Sequence, residues 1–97
     1  MPTATLVKAV IGWQGDASLY KLSKPATFSL FNDDDEYEER ETEYVIVSAV
    51  NNHLAHETYI FPAYDNATPI SMSEMEGSYK GGTDHEAALN ALGYELV

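Results

Sequence analysis

The sequence predicts an α+β fold: a small, mostly antiparallel sheet of four to five strands with one C-terminal helix packed on it. Three observations lead there. Extended segments rich in β-branched and aromatic residues recur along the chain, turn residues separate them at short intervals, and one capped, alanine-rich segment lies near the end.

Thr5–Trp13 reads as the first strand, with Val7, Ala9, Ile11 and Trp13 alternating on one face and Lys8 on the other. Gln14–Ser18 supplies a turn through Gly15 and Asp16. Leu19–Ser23 is extended again. Pro25 puts this strand at a sheet edge or ends it, because proline cannot donate to a ladder. Ala26–Phe31 resumes the extended pattern, with Ala26, Phe28 and Leu30 on one face.

Tyr44–Val50 is apolar and β-branched on both faces, as in a central strand covered on both sides. Glu57–Ala63 is the next strand, Tyr64–Thr68 a turn and Pro69–Met72 a short return strand, together a hairpin. Thr83 is the expected N-cap of the helix, with Glu86 completing a capping box. The segment spans about ten residues, Leu89 and Leu92 face the sheet, and Gly93 sits where a glycine ends a helix. Tyr94–Val97 forms a last short strand or a docked tail. The short connections argue against parallel crossovers.

The chain of 97 residues makes a single domain, 1–97. Its composition changes sharply between Asn32 and Glu43. Eight of the sixteen acids lie there, opposed only by Arg40. Charge of one sign at this density favours a solvated segment, so a mobile acidic loop is expected at about residues 32–43.

The net charge of −11 and the isoelectric point near 4.3 disfavour direct binding to nucleic acid or an anionic membrane. They favour a basic surface on another protein. The chain has no cysteine, which removes disulfides, thiol chemistry and cysteine-based zinc sites and fits a reducing compartment. The start of the chain lacks the basic and apolar regions of a signal peptide, and no apolar run approaches the ~20 residues of a membrane span. A soluble, cytoplasmic protein is expected.

Motifs for chemistry are incomplete. His53 and His56 are three apart and followed by Glu57, and His85 could add a third imidazole, so a small metal-binding protein or enzyme is the alternative reading. His85-Glu86 lacks the second histidine of a zincin helix. The glycines from Gly77 to Gly82 precede a helix start, but Asp84 and Glu86 in its first turn would repel a phosphate. No serine nucleophile elbow is present. The reading is non-enzymatic, with no catalytic, cofactor-binding or metal residue and no cofactor.

The acids offer a surface instead. Asp33, Asp34, Asp35, Glu36, Glu38, Glu39, Glu41 and Glu43, with Tyr37 inside the run and Tyr44 at its end, are the candidate partner-binding residues. Tyrosine beside charge is a common interface anchor. The function expected is a protein-interaction module, and its sharper version is a mimic of DNA that occupies a basic groove. A structural or assembly protein is a further alternative, and a homodimer through an exposed strand edge is compatible with each.

Glu57–Ala63, Gly77–Gly82, Asp84–Leu89 and the closing Gly93-Tyr94-Glu95 resemble segments of small uncharacterised proteins of actinobacteria and their bacteriophages. The resemblance covers residues 44–97 and leaves out the acidic run. It implies a cytoplasmic setting and a phage-encoded modulator of a host protein, and it carries no site residues.

Overall fold

The computed structural model describes residues 2–13, 15–31, 36–51, 56–70, 79–80 and 84–97, and at 31, 51, 56, 79 and 80 the backbone only. The elements in order are β1 (Thr3–Val10), β2 (Asp16–Phe31), β3 (Tyr37–Asn51), β4 (His56–Ala63), β5 (Tyr79–Lys80), α1 (His85–Leu92) and β6 (Glu95–Leu96). They form one mixed sheet in the order β5-β4-β3-β2-β1-β6. Each neighbouring pair is antiparallel except β1 and β6, which run parallel.

The expected two-layer α+β fold is thereby corrected. Among the described residues 66% are strand and 11% helix, and the sheet curls into a half-barrel with one short helix. Two causes are visible. β2 and β3 run for 16 and 15 residues, far longer than the short strands expected. Their pairing then jumps from Lys21–Tyr44 to Ala26–Thr42, so Leu22–Pro25 bulge opposite Glu43. Bulges bend strands and increase twist. Pro25 does not end the strand: it sits in the bulge, past Leu22, where the pairing with β1 has stopped and no described strand needs its missing N–H on that side.

β3 is central over Tyr44–Val50, as its two apolar faces require. Val45 and Val47 enter the main core with Tyr20, Leu22, Phe28, Ile60, Ala88, Leu89 and Tyr94. Ile46 enters a second, smaller cluster with Ala17, Leu19 and Ala63, against which Trp13 and Tyr44 pack. The Trp13 ring meets Phe61 at 5.4 Å between centroids. β1 departs from simple alternation because Val7 is a bulge between Leu6 and Lys8. Val7, Ala9 and Ile11 are exposed, and of the face expected for this strand only Trp13 packs.

The helix cap falls one residue later than expected. The Asp84 side chain accepts from the Glu86 N–H at 2.9 Å, and Thr83 lies outside the described residues. Gly93 ends the helix at φ 105°, with its N–H on the Leu89 and Asn90 carbonyls. Leu89 is fully buried and Leu92 packs beside it. Of the expected return strand Pro69–Met72 the described part makes one bridge, Ala63 to Pro69, and Ser71 and Met72 lie outside the described residues. No helix among the described residues is long and apolar enough to cross a membrane.

Candidate interaction surface

β1 pairs with β2 only as far as Leu22, and β4 pairs with β3 only as far as Tyr44. Past those points Ala26–Phe31 and Tyr37–Thr42 pair with each other and, among the described residues, with no third strand. They form a two-stranded arm. The acidic run, expected as a mobile loop over 32–43, is thus strand from Tyr37 onward. Asn32 and Asp33, Asp34 and Asp35 lie outside the described residues.

An isolated hairpin is marginal in water, so the arm needs support from one face. Ala26 and Phe28 are buried in the main core, and Leu30 packs against it. Tyr94 adds a clamp at the root: its hydroxyl donates to the Lys24 carbonyl at 2.6 Å, next to Pro25. Thr42 holds the other strand, its hydroxyl accepting from the Tyr44 N–H and lying 3.1 Å from the Ala63 carbonyl.

Directly opposed residues share a face. Tyr37, Glu39 and Glu41 pair with Phe31, Ser29 and Thr27, and Ser29 and Thr27 are exposed. Glu38 and Arg40 pair instead with Leu30 and Phe28. Arg40, the one base of the run, binds Glu38 at 3.4 Å on that same face. Among the described residues no ion pair involves Glu39, Glu41 or Glu43. The outer face of the arm therefore presents Glu39 and Glu41 uncompensated, with Tyr37 76% exposed beside them.

Of the other residues named from the sequence, Glu36 is exposed just before β3 and Glu43 is exposed opposite the bulge. Tyr44 stands on the body of the sheet, partly buried against the second cluster, and is not on the arm. Ser29 and Thr27 were missed. The alternation of Ala26, Phe28 and Leu30 is the signal that places them outward.

Of the three histidines only the His85 side chain is among the described residues. His53 lies outside them, and of His56 only the backbone is described, paired with Asn51 at the start of β4. His85 is fully used. Its Nε2 lies 2.8 Å from the Asp16 carbonyl, which can only accept, so Nε2 carries the hydrogen. In the neutral ring Nδ1 accepts from the Tyr20 hydroxyl at 2.8 Å. These two bonds fasten the start of α1 to the start of β2 and leave His85 no nitrogen for a metal. No group of three or more potential metal ligands occurs among the described residues.

A protein-family model matches residues 2–95, and its description is a family of unknown function, DUF7572. No curated protein and no solved structure matches the chain.

Proposed function

The chain belongs to the DUF7572 family, and from that premise, which brings no activity with it, we propose that it is a non-enzymatic interaction module that binds a basic surface on another protein. The observation that carries this reading is the outer face of the arm, where Glu39 and Glu41 stand uncompensated beside exposed Tyr37 on an ordered, core-anchored ribbon. Ordered carboxylates lose less conformational freedom on binding than a mobile tract does. Tyrosine adds apolar contact area at the centre of a charged patch.

Charge density decides between a general basic surface and a groove that normally holds DNA. Alternate residues on a strand are about 6.8 Å apart, whereas duplex DNA carries one charge per roughly 1.7 Å of axis. The arm face is several-fold sparser than DNA. A modest basic patch is the better match, and DNA mimicry would need acids beyond this face. In the setting implied by the sequence resemblance, the partner is a cytoplasmic host protein bound by a phage-encoded modulator.

The test is capture from an actinobacterial lysate with the wild type and with a Tyr37→Ser/Glu39→Gln/Glu41→Gln variant. A protein held by the wild type and released by the variant supports the assignment. Equal capture by both removes the arm from the interface.

A further inference from the structure

The edge of the sheet opposite β5 is only partly covered. β6 pairs with β1 at Thr3 and Ala4 alone, through bonds from the Glu95 N–H to the Pro2 carbonyl and from the Val97 N–H to the Ala4 carbonyl. Those bonds show that Pro2 and Ala4 turn their carbonyls outward, and strand alternation turns the backbone of Leu6 outward too. From Thr5 to Val10 no described residue pairs with this edge. The side chains here are apolar and exposed: Leu6 at 55%, Val7 at 47% and, just past the strand, Ile11 at 96%. An exposed apolar edge is a template for another strand.

The charge map says which strand fits. All sixteen acids lie at or after Asp16, so residues 1–15 contain Lys8 and no acid. Asp16 and Glu95 flank the two ends of this stretch, but along Thr5–Val10 itself another acidic body meets no carboxylate of β1, unlike along the arm. The segment is also acid-free and β-branched itself, and so matches its own requirement for an uncharged extended partner. We propose that two copies of this chain associate through β1, edge to edge and antiparallel about a twofold axis, to give one continuous sheet. The contact spans about 20 Å of strand for six residues, covers Leu6 and Val7, and brings Ile11 to its margin. It leaves the arm free, because β1 and the arm lie on different parts of β2.

The sign of the salt effect separates this proposal from the arm reading. Two copies of charge −11 repel, so screening strengthens their association, whereas screening weakens an acidic face on a basic partner. Sedimentation velocity over a range of protein and salt concentrations is the experiment. We expect a dimer whose fraction rises with both, is lost in Leu6→Glu, and falls at least several-fold in Ile11→Ser, a substitution too exposed to disturb folding. Circular dichroism confirms that each variant is folded. A wild type that stays monomeric throughout overturns the proposal, and the Val7 bulge and Lys8 then act as protection of the edge. A dimer that ignores both substitutions overturns it as well.

Discussion

Single residues set the close approaches of this sheet. Gly15 is legible in the sequence as a turn residue, but the reason it must be glycine is tertiary. Its φ is 82°, and a Cβ there would run into the Ala49 carbonyl on β3. Gly15→Ala should lower stability by about 2 kcal/mol or more through strain and backbone displacement. Gly12→Ala has a positive φ but open space and should cost less, about 1 kcal/mol. Urea titration of the two variants checks the order. The tie of Tyr20, His85 and Asp16 was not legible, because its partners lie 65 and 69 residues apart. Burial pushes the Tyr20 hydroxyl above its ordinary pKa, the Asp16 charge adds to that, and a hydrogen bond with Ser18 opposes it. Burial also raises Tyr94. A raised pKa means that the fold favours the protonated phenol. This stability is complete below the unfolded value of about 10 and is lost as pH rises through the folded values. The urea midpoint should fall at alkaline pH, and less steeply in Tyr20→Phe. An alkaline limb identical in that variant would show that Tyr20 takes no part in it.

At the scale of elements, the arm shows why charge misleads when it is read without its partner strand. Like charges from Asp33 to Glu43 argue for a loop. The deciding signal lies across the ladder, in Ala26, Phe28 and Leu30, which anchor the ribbon whatever the opposite strand carries. Phe28→Ala should therefore cost about 3 kcal/mol and loosen the arm, which amide exchange over Tyr37–Thr42 would register. Glu39→Gln/Glu41→Gln should do the opposite. Relieving repulsion between neighbours on one face should raise stability by a few tenths of a kcal/mol. The helix was legible because its signals are local: Gly93, the alanines, and Leu89 with Leu92. Only its cap shifted, from Thr83 to Asp84, since either side chain can accept from the first turn.

Over the whole molecule, central β3 and the two faces of its apolar run were readable, but the curl was not. Curvature comes from the bulge at Leu22–Pro25 and from the length of the β2–β3 pairing. Neither leaves a mark in hydrophobic alternation, and Pro25 points the sequence reader toward a strand end. The parallel β1–β6 pair was equally hidden, because its partners, Thr3 with Glu95 and Ala4 with Leu96, are far apart in the sequence. What emerges is a molecule of divided electrostatics. The strand β1 carries no acid, whereas the arm is a ribbon whose outer face carries carboxylates that no described base neutralises.

The central claim is that this outer face recognises a basic protein surface. The most direct measurement is the affinity for the captured partner, by surface plasmon resonance from low to high salt, for the wild type and for Tyr37→Ser/Glu39→Gln/Glu41→Gln. The account predicts that wild-type affinity falls steadily with salt, and that the variant binds at least ten-fold more weakly with a flatter salt dependence. Equal affinities and equal slopes for the two proteins would contradict it.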